Sequence, residues 1–268
     1  SLFSTGCQIL IADGLKGTDD VLVPVDGDYV KQAKIGRAVM DADIIISLTH
    51  FKGHESTGFG GAIKNLGMGC GSRAGKMEMH SSGKPQVDQG RCVGCGECRR
   101  NCAHDAITIE NHKAFIDHNK CVGCGRCIGA CPKDATHPTG DNTNEVLNCK
   151  MAEYALAVVN RRPQFHVCLV QDVSPCCDCH GCNDTPILPD IGMFTSFDAV
   201  AIDQACADAC LKADPLPNSI LSENLSHGCD HPHDHFLATN PNAEWKAALE
   251  HGEKIGLGSR EYELIQMK

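Results

Sequence analysis

Cysteine is the residue with most chemistry to offer in this chain, and its spacing is regular. There are 19 cysteines among 268 residues. Cys92, Cys95, Cys98 and Cys102 follow C-x2-C-x2-C-x3-C, and Cys121, Cys124, Cys127 and Cys131 repeat the pattern with Pro132 behind the last. Thiols this close along the chain are natural ligands for a soft, thiophilic metal. A disulfide scaffold is the rival reading of a cysteine-rich sequence. The tight C-x2-C runs favour metal thiolates in a reducing compartment. The two runs are copies in more than cysteine: VDQGRCVGCGEC (residues 87–98) matches IDHNKCVGCGRC (residues 116–127), and Asp-Ala follows each, at Asp105-Ala106 and Asp134-Ala135.

This duplicated segment, residues 89–138, closely resembles the two-cluster bacterial ferredoxins. The resemblance implies two [4Fe–4S] clusters and electrons moved one at a time. In that pattern three thiolates on a tight turn grip one face of a cube and the fourth comes from the other half. It assigns Cys92, Cys95, Cys98 and Cys131 to one cluster, and Cys121, Cys124, Cys127 and Cys102 to the other. Gly94 and Gly123 suit a backbone that must approach a cluster and offer it N–H groups. Ala103 stands where the first copy would carry proline, at a position that is not a ligand. Paired zinc knuckles are the alternative, and the duplicated eight-cysteine spacing argues against them.

Two further groups carry candidate chemistry. Cys176, Cys177, Cys179 and Cys182, with His180 beside them, are candidate ligands of a third iron–sulfur centre or a zinc ion. Adjacent Cys176 and Cys177 fit poorly on one cube, so Cys70, or Cys206 and Cys210 at i, i+4 spacing, are candidates to complete the set. Cys206 and Cys210 also read as small core residues. His50, Lys52 and His54 alternate directly after an apolar run, so an extended chain would put them on one face. With Lys64 and Asn65 after a glycine-rich turn, they could bind an anion or act as acid and base. Asp198 reads as a helix-start carboxylate; Asp172 and Asp190 flank the cysteine loop as candidate pocket lining. The His-rich stretch 227–235 reads as a solvated loop. Gly69–Ala74 matches G-x-G-x-x-A but has no strand directly ahead of it, and no G-x4-G-K-[ST] is present, so a classical nucleotide site is not expected.

The elements that must position these residues have α/β character. Residues 7–13 and 21–25 read as strands, 29–40 as a helix, and 43–48 as a strand buried on both faces. Residues 50–90 read as a long loop with one helix turn. Helices are expected over 146–162, 198–212 and 243–255, with a buried strand at 165–171. The organisation is one α/β domain (1–88 and 139–268) interrupted by a small ferredoxin-like α+β insertion (89–138).

A formal charge of −10 argues against nucleic-acid and anionic-membrane partners and suits a basic face on a redox partner. No 18-residue apolar run or signal-peptide pattern is seen, so a cytoplasmic location is expected. The chain opens at Ser1 rather than Met, as a processed or truncated product would.

Around the repeat, THFKGHESTGFGGAIKNLGMG (49–69), GKMEMH (75–80), PILPDIGMFTSFDAVAIDQA (186–205) and IGLGSREYELI (255–265) are similar to a family of uncharacterised iron–sulfur centre proteins. That family is a domain of unknown function with a ferredoxin insert, and it names no substrate. Three functions follow as expectations. One is a redox enzyme passing electrons to a His/Lys/Cys site that takes a small-molecule substrate. The second is a ferredoxin-type carrier with a docking domain. The third is a cluster- or metal-handling protein.

Overall fold

The apolar run around Ile45 forms a strand whose last residue is His50, and a matching run, Gln164–Val170, lies parallel beside it. The computed structural model describes residues 6–81, 84–138, 143–179, 181 and 183–267. In chain order the elements are β1 (Asp20–Pro24), β2 (Gln32–Gly36), α1 (Arg37–Met40), β3 (Ile45–His50), β4 (Lys52–His54) and β5 (Gly58–Gly60). Then come α2 (Ala62–Cys70), α3 (Arg73–His80), β6 (Pro85–Val87), α4 (Glu97–Arg100), β7 (Ile107–Glu110), β8 (Lys113–Ile116), α5 (Arg126–Gly129) and β9 (Thr136–Pro138). Last are α6 (Asn144–Val159), β10 (Gln164–Val170), β11 (Gly192–Ser196), α7 (Ala199–Lys212), α8 (Ile220–Ser226), α9 (His235–Thr239) and α10 (Trp245–Lys254). Mixed helices and small sheets make the protein α/β. Among the described residues no helix is long and apolar enough to cross a membrane.

The chain divides into two units. The first takes the chain up to Val23, residues 33–41 and 71–143; the second takes residues 24–32, 42–70 and 144 onward. The cysteine repeat therefore shares a unit with residues on both sides of the expected 89–138 segment. The cause is local pairing. Antiparallel β6 and β9 join the two ends of the repeat, and Ile35 bridges Gly71.

In the first unit, β7 and β8 form a hairpin between the two cysteine runs. Its small core comprises Ile107, Ala114 and Ala135 with Cys92, Cys98 and Cys127. Two expectations fail in this part of the chain. Residues 7–11 have no strand partner and lie exposed, with Ile9 and Leu10 each 67% accessible. Residues 29–40 form strand β2 and the short α1 rather than one helix; Ala33 and Ile35 are buried at the two-residue period of a strand.

In the second unit the sheet order is β11-β10-β3, with β10 parallel to β3 and antiparallel to β11. Only one face is buried. Ser47 and Thr49 point inward while Ile46 (70%) and Leu48 (68%) are exposed, so β3 is not buried on both sides as its apolar run suggested. Residues 50–90 are far more structured than a loop. They hold β4 and β5, an antiparallel pair, then α2 and α3. Helix α2 packs on α6, and Gly67 permits the approach: a Cβ there would stand 2.1 Å from the Met151 carbonyl oxygen. Phe51, Phe59, Phe236 and Trp245 form an aromatic core behind β4 and β5, with Phe51 and Phe59 stacked at 4.8 Å. The expected helix start at Asp198 is present, its carboxylate accepting the N–H groups of Val200 and Ala201.

Candidate functional site

In the first unit the cysteine repeat folds around two cavities. Cys92, Cys95, Cys98 and Cys131 line one, together with Lys133 and Thr136. Cys102, Cys121, Cys124 and Cys127 line the other, with His104 and Arg126. Each cavity thus draws three thiols from one copy and the fourth from the other. The crossing follows from the hairpin between the copies, which folds the tail of each run back toward the head of the other.

The two copies also share backbone geometry. Asp105 and Asp134 both adopt a left-handed φ of 47°. That turn aims the next N–H at the fourth thiol of the run: Ala106 donates to Cys102 Sγ at 3.4 Å and Ala135 to Cys131 Sγ at 3.3 Å. Ala114 donates to Cys92 Sγ and Gly123 to Cys121 Sγ, at 3.3 and 3.4 Å. Gly94, at φ +66°, lets the first copy press on His112, whose backbone would lie 2.4 Å from a Cβ.

Burial sets the thiol acidities. It pushes Cys127 up to about 12, with neighbouring Cys121 and Cys124 adding to the rise, and it raises Cys98. At Cys131 burial also pulls upward, but the N–H groups of Lys133, Ala135 and Thr136 outweigh it and the thiol is lowered. Among the described residues no three His, Cys, Asp or Glu side chains converge where one metal ion could sit. Four thiols line each cavity with N–H groups aimed at sulfur, a donor set that could hold a thiophilic metal or a polynuclear, thiolate-ligated group.

The second unit builds a different site where β3 ends. His50 Nδ1 lies 2.8 Å from Asp178 Oδ2, and its Nε2 lies 2.8 Å from the Gln171 carbonyl. Lys52 donates to the His50 carbonyl at 3.0 Å and stands 3.8 Å from Asp178. Lys64, from the first turn of α2, donates to Cys177 Sγ at 3.4 Å. The stems of both lysines pass Gly60: a Cβ there would lie 3.0 Å from Lys64 Cδ and 3.2 Å from Lys52 Cε. The loop bearing Cys177 is anchored through Gly53, whose N–H donates to the Ser174 carbonyl at 2.7 Å.

Cys177 is buried, which by itself raises its pKa. The Cys179 N–H and thiol and the Lys64 ammonium reverse that, and the net direction is down. Cys179 moves up, chiefly because its thiol donates to Cys177 and secondarily through burial. Of the two thiols, Cys177 is therefore the more acidic.

His54 does not join this group. Its Nδ1 accepts the N–H groups of Ser56 and Thr57 at 3.0 and 3.2 Å, and the ring is buried. The alternation 50-52-54 assumed one extended strand, whereas the chain changes sheets at Phe51. Cys176 is held by its backbone, its N–H on Asn183 Oδ1 and its carbonyl accepting from Ser174 and Asn183. Cys182 and His180 lie outside the described residues. Cys70 donates to the Asn65 carbonyl at 3.9 Å within α2. Cys206 and Cys210 are fully buried in α7 beside Cys168, where burial raises both thiols; they belong to the core. Asp178 and Glu55, which accepts the Cys177 N–H at 3.4 Å, were not singled out from the sequence. Asp178 sits inside the cysteine loop, the one local signal that could have found it.

These observations define a class: an α/β protein with a pair of four-cysteine cavities in one unit and a Lys64–Cys177 thiol site in the other. Residues 3–208 match the family model described as Domain of unknown function (DUF362), and the chain belongs to that family. The match takes in the cysteine repeat and the loop at Cys177. No curated protein matches the chain.

Proposed function

We propose that this chain is an iron–sulfur redox protein that passes single electrons to a thiol site in its second unit. Cys92, Cys95, Cys98 and Cys131 would hold one [4Fe–4S] cluster, and Cys102, Cys121, Cys124 and Cys127 the other. The observation that carries this reading is the crossed set of four cysteines around each cavity. When bound, each such cluster supplies one-electron oxidation and reduction.

The chain's own residues support that chemistry in three ways. The N–H groups of Ala106, Ala114, Gly123 and Ala135 neutralise part of the charge on ligand sulfurs, which eases reduction. The Cys179 N–H and thiol, together with Lys64, hold Cys177 toward its thiolate, the form that attacks an electrophile or binds a metal. Lys52, held by the His50 carbonyl and Asp178, places an ammonium at the same strand end for a small anionic substrate.

A carrier without catalysis is the second reading; the exposed, apolar face of the β3–β10–β11 sheet favours it as a docking surface. Anaerobic reductive titration followed by electron paramagnetic resonance separates the outcomes. Two one-electron signals are expected, with one lost in Cys131→Ser and the other in Cys127→Ser. Absence of any reducible paramagnet would refute the reading. Reoxidation by substrate classes that is lost in Cys177→Ser marks an enzyme; reoxidation by protein acceptors alone marks a carrier. Metal lost specifically from a Cys177→Ser/Cys179→Ser variant would assign a third centre to that loop and a metal-handling role.

A further inference from the structure

The first unit also contains a basic cleft that electron transfer leaves unused. It is an open cleft of about 660 Å³, bordered by residues 11–17, the first turn of α3 and helix α5. Lys16, Arg73, Lys76 and Arg126 line it, with Asn101 and a single carboxylate, Asp13. The chain as a whole has a formal charge of −10, so four cations facing one carboxylate reverse the local sign.

The one carboxylate is held by backbone at the cleft's edge. Asp13 Oδ2 accepts the Arg73 backbone N–H at 3.1 Å. Lys76 donates to the Gly71 carbonyl. Lys16, Arg73 and Arg126 have no ion-pair partner among the described residues. Arg73 is held in place along its length: a Cβ on Gly17 would lie 3.1 Å from its Cβ, and one on Gly129 would lie 3.4 Å from its Nη2. Four cations around one carboxylate leave an excess of positive charge, and an anion among them relieves their repulsion. Guanidinium forks match the paired oxygens of phosphate and carboxylate groups.

We propose that this cleft binds a small oxyanion carrying two or more negative charges, a phosphorylated or polycarboxylate molecule. Arg126 lines both this cleft and the cavity of Cys102, Cys121, Cys124 and Cys127, so the bound anion borders that cavity's wall. The binding rests on the cleft alone and does not require the cavities to hold metal.

Isothermal titration of the full chain with pyrophosphate, and separately with citrate, tests it. The expected result is one site for at least one of the two, weakened by salt and weakened about tenfold in each of Arg73→Gln and Lys16→Gln. Binding of pyrophosphate alone assigns a phosphorylated ligand; binding of citrate alone assigns a polycarboxylate. Both side chains are exposed, and a thermal melt matching the parent's confirms that each variant is folded. No binding of either anion at millimolar concentration, or binding unchanged in both folded variants, overturns the proposal.

Discussion

The Lys64 ammonium donates to the Cys177 sulfur over 3.4 Å, although 113 positions separate the two residues in sequence. Helix α2 supplies the cation and the loop after β10 supplies the thiol. Lys64→Met removes a hydrogen bond and a positive charge from the thiolate, so the Cys177 pKa rises. Alkylation of Cys177 by iodoacetamide at pH 7 should slow roughly three- to tenfold, read by peptide mass spectrometry. Cys179, whose thiol is shifted upward, should react more slowly than Cys177 in the parent protein. An unchanged Cys177 rate in Lys64→Met would show that the lysine does not hold the thiolate.

Gly60 makes a separate prediction about the same site. A methyl group there meets both lysine stems. Gly60→Ala should displace Lys64 and Lys52 and reproduce the slow alkylation of Lys64→Met, with no change in the number of titratable thiols. Cys177 reactivity equal to the parent's would show that the stems yield without moving their charges.

His166 gives a pH dependence with a definite sign. Burial holds the ring neutral, with its pKa down at about 4 from an ordinary 6.5. Ser47 Oγ sits 2.8 Å from Nδ1 and Gln164 Oε1 sits 2.9 Å from Nε2, which suits a neutral ring accepting from Ser47 and donating to Gln164. The unfolded chain takes up a proton below pH 6.5 that the folded chain refuses until about pH 4. The histidine's contribution is therefore complete above pH 6.5 and drains away as pH falls to about 4, by about 3 kcal/mol in total. Denaturant melts should show the stability of the parent relative to His166→Gln falling by that amount between pH 7 and pH 4. A constant difference would mean that the buried ring does not titrate differently on unfolding.

Glu153 ties residues 28–30 to helix α6. Its carboxylate is fully buried, accepts the N–H groups of Asp28, Tyr29 and Val30, and lies 2.8 Å from His251 Nε2. Glu153→Ala would strand those donors at about 1 kcal/mol or more each. A loss of at least about 3 kcal/mol in urea unfolding is expected. A loss under about 1 kcal/mol would show that water replaces the carboxylate at little cost.

What could be read from the sequence was what is local. The cysteine repeat announces itself because the residues lining each cavity sit at fixed short spacings and the run occurs twice. Asp198 was legible as a helix start for the same reason. Residues 29–40 were misread because their apolar positions satisfy both a helical and a two-residue period. The burial of Ala33 and Ile35 appears only once β1 lies beside them. His54 was misplaced by extending β3 through Phe51. Lys64 was noted for its position after a glycine-rich turn, but its partner could not be: nothing in the sequence near Lys64 points to Cys177. The basic cleft is equally long-range, with cations from residues 16, 73, 76 and 126 gathered by the fold.

The most direct measurement is the iron and acid-labile sulfide content of anaerobically purified protein, compared with Cys131→Ser and Cys127→Ser. Two full clusters require about eight irons and eight sulfides per chain, and each variant should lose a substantial part of both. Protein lacking acid-labile sulfide, or carrying two or fewer irons per chain that neither variant affects, would contradict the iron–sulfur reading.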